Sequence, residues 1–416
     1  MVRRYSFPDG HWDWPVKLTH HHAVRAGELI FTGGQVDLDA QGNVRNIGDL
    51  PTQCANAMAY MATLLQDLDV DFDDMVRLVV YYVGDAADES RLMNQLAQII
   101  GAKAQPVISM INMPELCYPD MLIEIEGVAM RGADGTCIPH QCLRLDDMPP
   151  VPPAFSHVVR AGNMVFTGEV SALTPQGTVA NPADVSAQTA QTMERLGRAL
   201  AAVGADFEDV VKLNTFYKDD LLGSDWDRSA RLRAEYFADP GPAATGIPVP
   251  RFAQDGLTVK IAATAICSTN TKRFSWPEGH WTWTAPLPYK HGNLCDNIIH
   301  IGGQVALDSG ANVVHPGDMV AQTRVAMDNL SRVLAGFGAT LDNIVKVTTF
   351  YQGNASAEAL HENLLIRSGS YSAPGPATTG IPVPALIYKD MVIEIEAIAI
   401  LDNATRSRVT AQTGVG

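Results

Sequence analysis

An α+β fold written three times along one polypeptide is the architecture that this chain of 416 residues predicts, and two features predict it: repetition and periodicity. The phrase DFDDMVRLVVYY beginning at Asp71 returns as DFEDVVKLNTFY from Asp206 and as TLDNIVKVTTFY from Thr340, each time between two helix-like segments. Units of roughly 135 residues are far longer than the 20 to 50 of a solenoid, so each copy must be a complete small domain. Within a copy, short runs rich in β-branched and aromatic residues alternate with stretches of 3.6-residue apolar period, as expected for helices laid on a mixed sheet. Three such sheets can close into a pseudo-threefold ring, as a homotrimer would, burying edges between neighbours. Function is therefore to be sought where copies meet.

The elements follow in the order β-β-α-β-α-β-β. In the second copy MVFTGEVSAL, residues 164–173, reads as a strand between glycine-containing turns. The helix after it carries Met193, Leu196, Leu200 and Val203 on one face, and Gly204 supplies its stop. The third copy repeats the stripe with Ala326, Leu330, Val333 and Phe337, behind Asp318 as N-cap. Residues 210–217 and 344–351 form the next strand, and a second amphipathic segment leads to a proline-rich turn. The closing strand is plain in LIEIEGVAM (122–130), VKIAATAI (259–266) and VIEIEAIAI (392–400), where Ile and Val alternate with polar or small residues. These signals divide the chain into repeats at 1–132, 146–267 and 268–402, with a C-terminal tail at 403–416.

Composition bounds the function. An apolar content of 46% with 18% charged residues is ordinary for packed domains. The net charge of −16 opposes phosphate backbones and anionic lipid, so neither nucleic acid nor membrane is an expected partner. No apolar run approaches the roughly 18 residues of a spanning helix, and the start MVRRYSFPDGHWDWP lacks a signal-peptide core, so a cytoplasmic protein is expected. The six cysteines lack the density of a disulfide scaffold. Cys137, His140 and Cys142 cluster in a linker without a second half at zinc spacing, and of His20, His21 and His22 only two can share a strand face. No metal and no cofactor are expected.

The TGGQV, TGEV and IGGQV strands, the phrase GADFEDVVKLNTFY, the PGPA turns and the closing IEIE-type strand together resemble the reactive intermediate deaminase (Rid, YjgF-like) family over roughly 380 residues. The resemblance implies chorismate-mutase-like α+β domains, here three in tandem forming an intramolecular pseudo-trimer, with a small-molecule site in each cleft and possible self-association of pseudo-trimers. It also implies hydrolysis of enamines or imines to ketones and ammonia. That chemistry needs an anchor for the substrate carboxylate, donors around the imine and a held water.

The family's anchoring arginine is missing in every copy: its place falls on Ile108, Ala244 and Thr378, and the neighbouring cysteine becomes Met110, Gly246 and Gly380. The family's aromatic position matches Tyr289, with Phe155 and His20 in the other copies, and the next position of that turn becomes His22, His157 and His291. The water-holding glutamate matches Glu124 and Glu394 but is Lys260 in the second copy, and Gln35 and Gln304 correspond there to Glu169.

Repeats 1 and 3 also share an opening that repeat 2 lacks, YSFPDGHWDWP and FSWPEGHWTWT. In it His11 with Trp12, and His280 with Trp281, can cap a cleft with an indole and an imidazole titrating near neutrality, or merely staple an arm to the sheet. Glu124 and Glu394 are then the candidates for handling water, and His11, His22, His280 and His291 for handling protons. Lys260 or Arg251 can stand in for the lost anchor, or lie at the rim, and Gly34 and Gly303 permit close backbone approach to a ligand. Arg25 and Arg160 read as solvated. A deaminase-type hydrolase acting on a small carboxylated or aromatic-derived metabolite is the leading expectation. A noncatalytic metabolite binder and another amide or ring-opening C–N hydrolase are the alternatives, while acidity disfavours the endoribonuclease label sometimes given to this family.

Overall fold

The computed structural model describes residues 3–218, 224–353 and 357–402, and the expected tail at 403–416 lies outside them. Each repeat builds one sheet. In the first, strands Arg3–Ser6, Ala23–Ala26, Leu29–Thr32, Ile123–Met130, Met75–Tyr82 and Val107–Asn112 lie side by side in that order. The last two run parallel because helix α2 (Ala86–Ile100) connects them, and all other neighbours are antiparallel. The third repeat copies this order from Arg273–Ser275 through to Ala377–Val383.

One edge strand per repeat goes beyond the expected order, and in repeat 2 the strand expected at 164–173 is split into Met164–Thr167 and Val170–Ser171. In repeats 1 and 3 the strand Arg3–Ser6 or Arg273–Ser275 adds to the sheet edge, and in repeat 2 the linker itself does so as His140–Leu143, paired with Val158–Ala161. That pairing places His140 and Cys142 on an edge strand, while Cys137 is bridged to Arg131 ahead of it. Among the described residues no group of three His, Cys, Asp or Glu side chains is arranged for a metal.

The long helices α1 (Leu50–Asp67), α3 (Val185–Ala202) and α5 (Met319–Ala335) are started by one device: the carboxylates of Asp49, Asp184 and Asp318 accept from the backbone N–H of Thr52, Ala187 and Ala321. Met193, Leu196, Leu200 and Val203 are buried as the stripe requires, whereas Phe337 lies just beyond the end of α5, buried all the same. Arg25 and Arg160 differ from expectation. Arg25 donates to Leu68 O at 2.8 Å and Gly132 O at 2.9 Å, and Arg160 donates to Val203 O at 2.8 Å, so both tie down carbonyls left open at helix C-termini. Helices α4 (Ser224–Ala234) and α6 (Ala357–Ser368) complete the second and third layers.

The three sheets close on one another. Parallel bridges join Val107 to Ser156, Ala243 to Lys290 and His21 to Ala377, so repeat 1 leans on 2, 2 on 3 and 3 back on 1. On the axis, Tyr81, Phe216 and Phe350 form a triangle of edge-to-face rings with centroids 5.9, 6.3 and 6.4 Å apart. Each ring comes from the same position of the repeated phrase. Because this core runs through all three repeats, Phe350→Ala is expected to cost about 3–5 kcal/mol. Urea unfolding followed by circular dichroism should remain a single transition with a lower midpoint, and three separable transitions would show that the repeats are independent.

Candidate active site

The closing strand of each repeat faces the fifth strand of the repeat that leans on it. At the seam of repeats 3 and 1, Glu124 lies against Thr378 and Gly380, and Gly34 N donates to Thr378 O at 3.0 Å. At the seam of 2 and 3, Glu394 lies against Ala244, Thr245 and Gly246. The glycines are demanded by contact: a Cβ on Gly34 would sit 1.8 Å from Glu124 Oε1, and one on Gly303 at 1.8 Å from Glu394 Oε1. The flat backbone lets each carboxylate lie across it.

Both glutamates are buried, and desolvation, reinforced by Glu126 or Glu396 two residues on, pushes each carboxyl up to about 8. They carry their protons at neutral pH. The second glutamate of each strand meets a lysine instead. Glu126 is 2.7 Å from Lys346 Nζ and Glu396 is 2.8 Å from Lys212 Nζ, each lysine contributed by the adjoining repeat.

The family-anchor positions Ile108, Ala244 and Thr378 stand in the cleft walls with their neighbours Met110, Gly246 and Gly380. An arginine is nonetheless near, supplied from a helix. Arg233 on α4 lines the seam with Glu394 and donates to Thr215 Oγ1 at 2.7 Å. Arg367 on α6, fully buried, donates to Thr378 Oγ1 at 3.0 Å and to Asn363 Oδ1 at 2.8 and 3.0 Å. The two sit equally far ahead of the lost anchor in their repeats. Neither has a carboxylate partner among the described residues. A side chain of either cleft's aromatic position is also left open: Tyr289 Oη and His20 Nε2 are buried without a hydrogen-bond partner. Arg233 and Arg367 escaped sequence reading because the chain offers them only as polar members of amphipathic helices.

Cys117 distinguishes the two clefts. Its Sγ is 3.7 Å from Glu124 Oε2, while the corresponding place in repeat 3 is Ile387. Burial raises this thiol well above its ordinary range, so it stays neutral, and the nearest acceptor for its single hydrogen is Gly380 O at 2.6 Å.

The arms form two matching networks. Gln35 Oε1 accepts from His11 Nε2 at 2.8 Å and Trp12 Nε1 at 3.3 Å, and Gln304 does the same for His280 and Trp281 at 2.8 and 3.3 Å. His22 and His291 bond the carbonyls of Trp12 and Trp281, with Trp14 and Trp283 stacked on their rings. The structure brings the indoles, not these imidazoles, to the cleft walls. Burial lowers His11 to about 4 and His291 to about 3 and depresses His22 and His280 as well, so the four rings are neutral near pH 7 rather than titrating there.

The third seam, between repeats 1 and 2, is built differently around a cavity of about 410 Å³. Lys260 replaces the glutamate and is engaged: Nζ donates to Met110 O at 2.5 Å and lies 3.3 Å from Glu169 and 3.6 Å from Glu89. His157 there bonds Leu145 N and Pro149 O. Arg251 is exposed and joins none of the three walls.

The family model described as Endoribonuclease L-PSP matches residues 16–131, 147–267 and 282–401. The chain belongs to this family, three times over. Trp12 and Trp281 precede the matched residues of the first and third segments, whereas Trp283 lies within the third. A RutC family protein of Pyrococcus horikoshii is 30% identical over 112 residues, 27% of this chain and 86% of that protein. The 3-aminoacrylate deaminase RutC of Acinetobacter baylyi is 29% identical over 130 residues, 31% of this chain and 97% of that enzyme. A chorismatase crystal structure superposes with TM-score 0.56 and 13% identity, covering 79% of this chain and 93% of the chorismatase, a likeness of fold.

The raised glutamates have a measurable signature. A carboxyl whose folded value lies above its unfolded one keeps its proton on folding, so its contribution is full below the unfolded value and is lost as pH rises through about 8. Urea midpoints should therefore fall between about pH 5 and pH 8, and the Glu124→Gln, Glu394→Gln double variant should flatten that slope. An unchanged slope would show both carboxylates ionised.

Proposed function

We propose that the seams holding Glu124 and Glu394 hydrolyse the C–N bond of a small enamine or imine that carries a carboxylate. The observation that carries this reading is a buried glutamate at each of two seams with a buried arginine close by, Arg233 in the wall with Glu394 and Arg367 bonded to the wall residue Thr378 beside Glu124, neither arginine having a carboxylate of its own among the described residues. A buried guanidinium without a counter-charge is costly unless a ligand supplies one. RutC, named for deamination of 3-aminoacrylate, supports the reaction class.

The chemistry follows from the proton on glutamate. Glu124 or Glu394 protonates the enamine carbon, leaving an iminium ion and a carboxylate. The carboxylate then takes a proton from water as its oxygen bonds to the iminium carbon. Returned to nitrogen, that proton lets ammonia leave as the C–N bond breaks, and the hydroxyl proton of the resulting ketone restores the acid. Arg233 and Arg367 orient the substrate carboxylate, Arg233 from the wall and Arg367 through Thr378. Tyr289 and His20 offer unpaired groups to the substrate. Trp12 and Trp281 exclude water, and the four arm histidines position them. Gln35 and Gln304 hold both members of each arm, and Gly34 and Gly303 admit the carboxylates. The seam with Lys260 already satisfies its charges with Glu169 and Glu89, and we read it as noncatalytic.

Ammonia release from 2-imino acids generated in situ by an amino-acid oxidase, and from 3-aminoacrylate, tests the proposal. Each single glutamine variant at Glu124 or Glu394 should leave one working cleft, and the double variant should lose about 10²–10⁴ in rate. Arg233→Met in the Glu124→Gln background should raise KM more than it lowers kcat. Because the acid form is required, the rate should fall as pH rises past about 8. A double variant as fast as the parent would overturn the assignment.

A further inference from the structure

A second polar cavity lies away from the clefts, on the pseudo-threefold axis, with a volume of about 60 Å³. Such a space holds several waters, since one needs only ~10–15 Å³ of it. Its walls come from the same positions of all three repeats: Arg77, Lys212 and Lys346 from the central strands, and Glu126 and Glu396 from the closing strands. The charges are arranged as a cycle. Lys346 of repeat 3 reaches Glu126 of repeat 1 at 2.7 Å, and Lys212 of repeat 2 reaches Glu396 of repeat 3 at 2.8 Å. By the same rotation Arg77 of repeat 1 should meet a carboxylate on repeat 2.

The residue in that place is Ala262. Arg77 makes no ion pair among the described residues, and its Nε is buried without a hydrogen-bond partner. Three cations thus share two carboxylates. The wall is also more polar where the symmetry is broken: Thr264 stands where the other repeats have Val128 and Ile398, and His300 where they have Phe31 and Phe166. His300 is 2% exposed, and its Nδ1 has no partner.

We propose that the axial cavity binds one small monovalent anion, the size of chloride, nitrate or formate, which replaces the carboxylate lost at Ala262 and neutralises Arg77. His300 and Thr264 offer it hydrogen bonds. Larger anions are excluded by the cavity's size. None of its residues is assigned a contact with substrate, although Glu126 and Glu396 act through space on the carboxyls of Glu124 and Glu394.

Thermal unfolding of the full chain in sodium chloride, nitrate or formate, each against sodium gluconate at equal ionic strength, reads the occupancy. Binding to the folded state alone should raise Tm by ~1–3 °C and saturate, and the anion giving the largest rise identifies the best occupant. Arg77→Leu should abolish the difference between salts. Ala262→Glu restores the third carboxylate and should make the protein as stable in gluconate as the parent is in its preferred salt, with no further response. Crystals grown in sodium bromide should show anomalous density on the axis beside Arg77, and this arm stands even if Ala262→Glu fails to fold. Absence of that density, or a salt response that persists in Arg77→Leu, would overturn the proposal.

Discussion

Everything functional in this molecule depends on the backbone bridge at each seam, where the start of one repeat's fifth strand pairs with the turn before the next repeat's second strand. The bridge sets positions 108 and 110, 244 and 246, and 378 and 380 against the closing strand of the adjoining repeat. A homotrimer with this geometry repeats every substitution at all three seams. In a single chain each seam changes alone, so one can exchange its glutamate for Lys260 and pair that lysine with Glu169 and Glu89 while the other two keep an acid.

The two glutamates of the IEIE strands show how environment divides identical groups. Glu126 and Glu396 meet a lysine across the seam, and Lys212 holds the carboxyl of Glu396 below its usual range against the desolvation that would raise it. Glu124 and Glu394, two residues earlier, meet backbone and glycine, and the neighbouring negative charge adds to desolvation in holding their protons. Paired titratable groups pushed apart in this way mark acid and base roles in enzyme sites generally. In repeat 2 both members are gone, as Lys260 and Ala262.

Repeat number, the order of helices and of all strands but the added edge strand, and the places of the clefts were legible in the chain because they rest on local signals that recur: the DFEDVVKLNTFY phrase, the aspartate caps, the alternation of the closing strand. Glu124 and Glu394 were legible through their motif. What could not be read were contacts made across the fold. Arg367 and Arg233 are ordinary helix residues until α6 and α4 are laid over the anchor positions, and Arg25 looks solvated until the carbonyls of Leu68 and Gly132 are brought to it. Sequence also cannot reveal desolvation, which is why imidazoles expected to titrate near neutrality are instead neutral props.

The arms deepen this point. An exposed histidine is a proton carrier, but His22 is packed between Trp12 and Trp14 and bonded to a carbonyl, so protonating it would strand a charge among indoles. Neutral, it fixes the Trp12 carbonyl while His11 and the Trp12 indole share Gln35 Oε1. The glutamine thereby gives its acceptor to the arm and one of its two amide N–H groups to Gly33 O. The arm's chemistry is consumed in holding Trp12 and Trp14 in the wall beside Glu124, whose burial raises its carboxyl. In the proposed reaction proton transfer therefore falls to the glutamate, with the histidines acting only through the indoles they hold in place.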